Sequence, residues 1–297
     1  MQDVVLRTRG LTKHFGDVVA VDNLDLEVRR GEVLGFLGPN GSGKSTTVGM
    51  ILGLIRPTFG TVERQGMPLQ RIGAIIESPA FYPFLSGRDN LRALALAVSG
   101  VNEERIEQLL NSVGLASSAH RKYHTYSLGM KQRLGVASTL LCDPELVILD
   151  EPTNGLDPAG QQEIRALIPH LAEEGRSVLL ASHLLYEVEH VCDRVAILQR
   201  GKLLAEGLVS DLLQREAFLE IGVSDLKAAS ELIGQLECVR AVRVEDGFLH
   251  VDADANSGSL ITKTLAEAGI YVSSLSQKHI SLEDVFLELT AEGDGTP

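Results

Sequence analysis

The sequence predicts an α/β protein with a parallel core sheet, an antiparallel β segment before it and a small α+β domain after it. Between residue 33 and about residue 204, short apolar runs alternate with helical patterns, which is typical of parallel strands joined by crossover helices. Before this region, alternating stretches at residues 18–21 and 24–28 indicate antiparallel strands separated by turns. After about residue 207, the strand and helix patterns follow a β-α-β-β-α-β order.

The element patterns divide the chain into two expected domains, residues 1–215 and 216–297. Within the first, residues from about 78 to 142 are predicted to form a mostly helical subdomain, in which Ser86 begins a helix with a capping box. In the second, helices at residues 225–236 and 257–268 separate predicted strands. That order is the ferredoxin-like split βαβ arrangement, and we expect a small accessory domain.

Composition excludes several classes of protein. The chain has 297 residues, of which 44% are hydrophobic and 23% charged, as in ordinary globular proteins. The formal net charge of −13 argues against a nucleic-acid binder, which normally has a basic face. No apolar run reaches the roughly 18 residues that a membrane-spanning helix needs. The three cysteines form no metal-ligand pattern, and residues 1–4 lack the start of a signal peptide, so we expect a cytosolic chain.

A phosphate-binding loop is the most specific motif of the chain. It consists of Gly38, Pro39, Asn40, Gly41, Ser42, Gly43, Lys44, Ser45 and Thr46. The loop follows an apolar strand at residues 33–37 and opens into a helical segment at residues 45–54, which is the context that the motif requires. Its glycines let backbone N–H groups surround a triphosphate, Lys44 supplies a positive charge, and the Ser45 hydroxyl can coordinate Mg²⁺. The sequence therefore predicts binding of a nucleoside triphosphate.

An acidic pair follows a second buried strand. Residues 146–149 are apolar and lead directly into Asp150 and Glu151. A carboxylate at the carboxyl end of a strand beside the phosphate loop can hold Mg²⁺ through water. Glu151 is placed to act as the general base on an attacking water, a role worth roughly 10²–10⁴-fold in rate. Taken alone, the pair also fits a strand that ends in a solvated acidic turn. The presence of the phosphate loop disfavours this alternative.

A helix start at Ser127 offers a second anion site. Ser127 is a natural N-cap for the helix that continues through Leu134 and Leu140, and a helix N-terminus attracts negative charge. Over about residues 4–215 the chain resembles the nucleotide-binding subunit of ATP-binding-cassette (ABC) transporters. The resemblance rests on motifs that occur in the order seen in that family: the phosphate loop, this segment, the acidic pair, the turn at residues 155–157 and His183. The resemblance implies an ABC-type P-loop ATPase fold with a helical signature subdomain.

The resemblance also implies roles for individual residues. ATP is sandwiched between two subunits arranged head to tail, and the signature of one subunit contacts the ATP of the other. The implied signature residues are Ser127, Leu128, Gly129 and Met130, and the implied dimer turn is Gly155, Leu156 and Asp157. His183 is implied to contact the γ-phosphate and orient the attacking water, and Phe15 to stack on adenine. Without the resemblance, a histidine at a strand end and an aromatic near a turn are more often structural.

Three positions depart from the common pattern of the family. Glu77 stands where many members have glutamine, and Leu128 and Met130 stand where glycine and glutamine are common. Glutamate keeps an oxygen ligand for Mg²⁺, so Ser45, Glu77 and Asp150 form the implied Mg²⁺ set. With these variants the chain is similar to the subgroup that exports peptide antibiotics such as bacitracin and lantibiotics. This implies export of a peptide antibiotic, drug or other hydrophobic compound.

The implied partners are a second ATPase subunit, most simply in a homodimer, and a separate integral-membrane permease that holds the chain at the inner face of the membrane. The segment at residues 77–90 is the expected contact with the permease, although its aromatic side chains at 81, 82 and 84 fit core packing as well. One alternative is a soluble ABC-type ATPase that acts on nucleic acid or ribosomes, which the acidic composition disfavours. Another is a regulatory module that holds ATP with little turnover, which an intact Glu151 and His183 disfavour.

Overall fold

The computed structural model describes residues 3–98, 100–213, 218–253, 257–278, 282–284 and 286. Contacts between Cα atoms divide the chain into two compact units, and the division lies between Val209 and Ser210. The boundary that the sequence predicts, between residues 215 and 216, lies outside the described residues. No helix within the described ranges has the length and hydropathy that crossing a bilayer requires.

The first unit alternates strands and helices. Its strands are β1 (Val4–Phe15), β2 (Val18–Arg29), β3 (Val33–Leu37), β4 (Phe59–Glu63), β5 (Ile72–Ile75), β6 (Leu146–Asp150), β7 (Ser177–Ser182), β8 (Arg194–Gln199) and β9 (Lys202–Leu208). Its helices are α1 (Lys44–Ile51), α2 (Gly87–Ala95), α3 (Glu103–Ser112), α4 (Leu128–Thr139), α5 (Pro158–Glu173) and α6 (Leu185–Val191), and α7 (Val209–Leu213) lies at the division.

The core sheet has the strand order β5-β6-β7-β3-β8-β9. Neighbouring strands are parallel except for β8 and β9, which the turn at Arg200 and Gly201 joins as an antiparallel hairpin. Every residue of β3, β6 and β7 is buried, as expected for parallel strands that are covered on both faces. The predicted α/β fold class with a parallel core sheet is confirmed. The edge strand β9 is partly exposed, and its weak alternation gives no strand signal in the sequence.

A smaller antiparallel sheet, ordered β2-β1-β4, packs on this core. The sequence predicts two short strands separated by a turn at residues 18–28, but β2 is one strand of 12 residues. The interruption is a β-bulge: Asn23 has a φ of 49°, and the pairing register with β1 shifts beside it. The N–H of Asn23 donates to Thr12 Oγ1 at 3.0 Å, so the polar residue satisfies a local backbone irregularity instead of ending the strand.

Helices α2, α3 and α4 form the helical subdomain. Ser86 caps α2, as the sequence predicts, because its Oγ accepts the N–H of Asp89 at 3.1 Å. A Cβ on Gly87 would lie 2.2 Å from the hydroxyl oxygen of Tyr126, so a larger residue there would displace the tyrosine ring. That hydroxyl donates to the carbonyl of Ser118 at 2.8 Å. The segment before α4 is therefore packed directly against the start of α2.

The second unit has its own sheet and core. Its elements are β10 (Phe218–Val223), α8 (Leu226–Ile233), β11 (Val239–Glu245), β12 (Phe248–Ala253), α9 (Gly258–Glu267) and β13 (Val272–Lys278). The strands are all antiparallel in the order β11-β12-β10-β13. Ile221, Leu249 and Val251 of the sheet are buried against Ile233 of α8 and Ile261 of α9. The small α+β domain expected after the core sheet is thus present as a compact unit.

Candidate nucleotide-binding and catalytic site

The glycines of the phosphate loop are required by space and by backbone conformation. A Cβ on Gly38 would lie 2.3 Å from the carbonyl oxygen of Leu198, so no side chain fits there. Gly41 and Gly43 have φ values of 80° and 107°, in the region that glycine adopts most readily. A Cβ on Gly43 would also lie 2.5 Å from the carbonyl oxygen of Ala20. The loop can therefore turn tightly between β3 and the N-terminus of α1.

Lys44 begins α1 and places its charge inside the loop. Its side chain is only 5% exposed. The ammonium donates to the carbonyl oxygens of Gly38 and Pro39 at 2.6 and 3.3 Å, and it forms an ion pair with Glu151 Oε1 at 3.4 Å. A charge removed from water needs such partners, because its desolvation is otherwise very costly. The buried ammonium is thus held where the loop carbonyls and the acidic pair meet.

The strand order explains how distant residues meet at this loop. Because β6, β7 and β3 are adjacent and parallel, their carboxyl ends lie side by side. Asp150 ends β6, Ser182 ends β7, and Gly38 follows β3. The N–H of Gly38 donates to the carbonyl oxygen of Ser182 at 3.4 Å, which joins the phosphate loop to the segment that precedes His183. The site therefore lies at the edge of the sheet where parallel α/β folds bind ligands.

Glu151 contacts both Lys44 and His183. Its Oε2 lies 2.6 Å from His183 Nδ1, while its Oε1 forms the ion pair with Lys44. The N–H of Glu151 donates to the carbonyl oxygen of Ala181 at 2.9 Å, which anchors the residue to β7. Its φ of 51° is unusual for a residue other than glycine and costs of the order of 1–3 kcal/mol. A carboxylate in a strained conformation, between a lysine and a histidine, is a strong candidate for a catalytic group.

Asp150 is a buried acid beside the Ser45 hydroxyl. Its side chain is about 1% exposed, and neither carboxylate oxygen makes a hydrogen bond within the part of the chain that the structure describes. Burial raises the pKa of Asp150, and the carboxylates of Glu151 and Glu77 raise it further, whereas the Ser45 hydroxyl and Lys44 oppose these effects. Buried carboxylate oxygens beside a serine hydroxyl fit Mg²⁺, which takes one or two carboxylates, waters and phosphate oxygens.

This arrangement is not a metal cage made of protein ligands alone. Among the described residues, no group of three or more His, Cys, Asp and Glu side chains is arranged to hold a metal ion. Glu77 follows β5 with a φ of 58° and is exposed, and its charge contributes to the raised pKa of Asp150. Ser45 and Asp150, with Glu77 at the margin, would therefore hold Mg²⁺ only together with water and a bound phosphate.

The signature residues form the start of α4. Ser127 caps the helix, because its Oγ accepts the N–H of Met130 at 3.2 Å, as the sequence predicts. Leu128 is the first helical residue, has no positive φ, and is 46% exposed. Its backbone N–H is consequently compatible with the role that glycine has in other members. Ser127 is exposed as well, and Gly129 and Met130 are partly exposed, so this helix start presents a surface to solvent.

The implied dimer turn lies against this same helix start. Asp157 caps α5 by accepting the N–H of Gly160 at 3.1 Å, and Leu156 is buried. Gly155 has a φ of 75°, and a Cβ on it would lie 3.4 Å from Leu128 Cδ2. The structure therefore brings the signature and the turn together in one cluster, while Lys44, Asp150, Glu151 and His183 form the cluster at the phosphate loop.

Phe15 ends β1 and is 51% exposed. One contact on its ring is the ammonium of Lys13, 4.8 Å from the ring centroid. The core-packing alternative for this aromatic is therefore wrong, because the ring is half exposed at a strand end. An exposed ring with a neighbouring cation is suited to stacking on a base.

Replacing Phe15 with alanine is expected to weaken ATP binding by roughly 1–3 kcal/mol, the range for base–aromatic stacking. Titration of the protein with ATP measures the affinity, and Phe15→Tyr should retain most of it because the ring remains. Phe84→Ala, which removes another exposed phenylalanine, is the control and should leave the affinity unchanged. Equal affinities for the wild type and Phe15→Ala would contradict the stacking role.

Comparison with known proteins agrees with this geometry. Residues 21–154 match the family model described as ABC transporter. The bacitracin transport ATP-binding protein BcrA of Bacillus licheniformis is 40% identical over 97% of this chain and 98% of its own length. The uncharacterized ABC transporter ATP-binding protein YdbJ of Bacillus subtilis is 39% identical over 98% and 96%. The lantibiotic transport ATP-binding protein SrtF of Streptococcus pyogenes is 41% identical over 68% and 90%.

Solved structures share the fold of the first unit. An ATP-binding subunit of an ABC transporter superposes with a TM-score of 0.63 at 30% identity, over 71% of this chain and 92% of that chain. The ATP-binding cassette MJ0796, solved as a dimer in a post-hydrolysis state with ADP and Pi, gives a TM-score of 0.61 at 25% identity, over 69% and 98%. These similarities place the site in a cassette that binds nucleotide.

The phosphate loop, the buried acid and the carboxylate–histidine contact define a P-loop ATPase. With relatives of about 40% identity over nearly the whole chain, the protein belongs to the ATP-binding subunits of ABC transporters. The predicted family and ATPase activity are confirmed.

Proposed function

We propose that this chain powers a separate membrane permease that exports a peptide antibiotic, drug or other hydrophobic compound. The support for export comes from relatives that are named as bacitracin and lantibiotic transport ATP-binding proteins. The support for ATP hydrolysis as the energy source comes from the position of Glu151. This residue has a 2.6 Å contact with His183 and a 3.4 Å ion pair with Lys44. These contacts support the roles of Glu151 as base, His183 as its orienting group and Lys44 as the cation that binds the phosphates.

Hydrolysis follows from these contacts. ATP binds to the phosphate loop, where Lys44 and the loop N–H groups neutralise the phosphate charge, and Phe15 stacks on adenine. Glu151 accepts a proton from the attacking water, and His183 orients the carboxylate through Nδ1 and contacts the γ-phosphate. Ser45, Asp150 and Glu77 would hold Mg²⁺, which would supply electrostatic stabilisation of the phosphate oxygens. Asp150 supplies buried carboxylate oxygens beside the Ser45 hydroxyl, which suits a shared Mg²⁺.

A second copy of the chain completes the site. Ser127, Leu128, Gly129 and Met130 lie at an exposed helix start that would receive the γ-phosphate bound to the other subunit. The dimer turn lies beside this helix start, since a Cβ on Gly155 would lie 3.4 Å from Leu128 Cδ2. Two ATP molecules then join two subunits, and hydrolysis removes the phosphate that bridges them. The charge of the chain argues against nucleic acid as the partner.

The segment between β5 and α2 offers the contact with the permease. Tyr82 and Phe84 are 56% and 64% exposed, and their ring centroids lie 5.8 Å apart. Phe81 instead packs on the buried Tyr123, with ring centroids 5.1 Å apart. The aromatic cluster is thus divided between core packing and an exposed pair. Docking of this pair on the permease would hold the chain at the cytoplasmic face of the membrane, and the domain at residues 216–297 would be an accessory to the ATPase domain.

Replacing Glu77 with glutamine is expected to preserve ATP binding and to change the number of ATP molecules hydrolysed per transport event. The change keeps an oxygen ligand but removes a negative charge near Asp150 and the bound phosphates. Transport into vesicles and phosphate release, measured on the same preparation, give the ratio. Glu103→Gln, in the helical subdomain, is the control for charge alone. An unchanged ratio would contradict a coupling role for Glu77.

The proposed function is tested by capture of tagged Glu151→Gln protein, with ATP, from gently solubilised membranes of its own cells. A multi-spanning protein recovered at about equal stoichiometry supports the transporter assignment and identifies the permease. Tyr82→Ser combined with Phe84→Ser should lose that protein while retaining ATP binding. Recovery of ribosomes or nucleic acid would instead support the alternative of an ATPase acting on those partners, and recovery of neither would contradict a permease partner.

A further inference from the structure

Glu187 is a buried acid close in sequence to His183. It lies on α6, and its side chain is only 2% exposed. One carboxylate oxygen, Oε1, has no hydrogen-bond partner within the described residues, and the other, Oε2, lies 3.2 Å from Ser182 Oγ. Burying a carboxylate with so few partners costs stability, so its presence calls for a functional reason. The sequence gives no signal for Glu187, because a single acid in a short helix is normally solvated.

The Ser182 hydroxyl is fixed by two opposite contacts. It donates its proton to Glu187 Oε2, and it accepts the backbone N–H of Leu184 at 3.0 Å. A hydroxyl has one proton, so its donation to the carboxylate directs the oxygen lone pairs toward other donors. The contact with Leu184 closes a tight turn that contains His183. The Ser182 hydroxyl therefore restrains the main chain of His183.

The same serine also contacts the phosphate loop. Its carbonyl oxygen accepts the N–H of Gly38 at 3.4 Å. On the next residue, His183 Nδ1 lies 2.6 Å from Glu151 Oε2. Helix α6 itself packs on β3, where a Cβ on Gly35 would lie 2.5 Å from Val188 Cγ1. Glu187 therefore lies on a helix that packs against β3, the strand that leads into the phosphate loop.

We propose that Glu187 is a positioning residue for ATP hydrolysis. Through Ser182 it holds the main chain around His183, and this keeps the imidazole within hydrogen-bond distance of Glu151. The inference rests on the proposed roles of His183 and Glu151. Among the described residues, the hydrogen bond of Glu187 is to Ser182 and not to Ser45, Asp150 or Glu77, so its effect is expected in turnover and not in nucleotide binding.

The first test compares Glu187→Leu with Glu187→Gln. Leucine removes the acceptor for the Ser182 hydroxyl, and we expect kcat to fall by roughly tenfold to a hundredfold, as for small displacements of catalytic groups. Glutamine offers an amide oxygen to the same hydroxyl and should restore most of kcat. The KM for ATP and the affinity for ATP should stay near those of the wild type in both variants. Thermal unfolding identifies a leucine variant that fails to fold.

A second variant keeps the test decisive if Glu187→Leu does not fold. Ser182→Ala removes the link itself with a smaller change of volume, and it should reproduce the loss of kcat. Each variant is also made together with His183→Ala. If Glu187 acts through His183, the double variants should be no slower than His183→Ala alone, because interacting residues give non-additive effects. Independent structural damage would instead multiply the losses.

Glu189→Leu is the matched control, since it lies on the same helix about 200° around the axis from Glu187. It should leave kcat unchanged. An unchanged kcat in Glu187→Leu and Ser182→Ala would overturn the proposal, as would parallel losses of kcat, ATP affinity and melting temperature that glutamine does not restore. If His183→Ala itself leaves kcat unchanged, the proposed role of His183 fails, and the positioning proposal fails with it. An unchanged kcat in Glu187→Leu and Ser182→Ala overturns the positioning role but leaves the proposed function intact. Failure of the positioning role can therefore be distinguished from failure of the proposed function.

Discussion

Replacing Glu151 with glutamine should reduce the rate of ATP hydrolysis by roughly 10²–10⁴-fold while ATP binding is retained. The amide has nearly the shape of the carboxylate but cannot take a proton from water. It also cannot form the ion pair with Lys44, although its oxygen can still accept a hydrogen bond from His183 Nδ1 if that nitrogen carries the proton. The loss should therefore appear in kcat, with the affinity for ATP preserved.

Phosphate release and ATP titration measure the two quantities separately. The chain provides a close control in Glu173→Gln, since Glu173 Oε2 lies 2.8 Å from His170 Nδ1 on an exposed part of α5. This control removes a carboxylate–histidine contact of similar length without changing the phosphate loop, and its turnover should equal that of the wild type. Glu151→Gln should in addition accumulate as a dimer in the presence of ATP. Turnover at the wild-type rate in this variant would show that Glu151 is not the base.

Replacing Lys44 with alanine should weaken ATP binding by roughly 30-fold to several thousandfold, because truncation of one partner of a buried charge pair costs about 2–5 kcal/mol. Lys44 is 5% exposed, and its ammonium has carbonyl oxygens and Glu151 as its partners. Removing it leaves an anionic carboxylate in the loop without its cation. The triphosphate then loses its attraction to the Lys44 ammonium. It is also repelled by the Glu151 carboxylate, whose charge is no longer compensated.

The affinity of Lys44→Ala is measured by titration with ATP in the presence of magnesium. Lys202→Ala is the control, because the Lys202 side chain is 67% exposed and pairs with Asp22 at the surface. The control should bind ATP as the wild type does. Retention of wild-type affinity in Lys44→Ala would mean that the loop N–H groups alone bind the phosphates, and the account of the loop would be wrong.

The sequence predicts the local parts of this site well. The strand at residues 33–37 has the predicted bounds, and Ser86 and Ser127 cap the helices that they are expected to cap. These features depend on a few neighbouring residues, whose spacing alone determines the turn, the cap or the buried strand. The predicted turn near Asn23 is wrong for the same reason, since a polar residue between alternating stretches fits a bulge as well as a turn.

The contacts that make the site depend on strand order, which the patterns do not contain. Lys44, Glu151 and His183 meet because β6, β7 and β3 are neighbours in the sheet. Any order of parallel strands would give the same apolar runs. The link from Glu187 to Ser182 likewise requires knowing which face of α6 is buried. Only the resemblance to a known family supplied the expectation that these residues act together.

We propose that two subunits complete each ATP site, and mixing two defective variants tests this most directly. Lys44→Ala impairs the phosphate loop, and Ser127→Asp keeps a capping side chain but places a negative charge at the signature. Each alone should be nearly inactive. In a head-to-tail dimer formed by random exchange, half of the dimers are mixed, and each mixed dimer has one site free of both changes. The 1:1 mixture should therefore hydrolyse ATP well above either variant, up to about a quarter of the wild-type rate. A mixture no faster than the average of its two components would show that the site is complete within one chain.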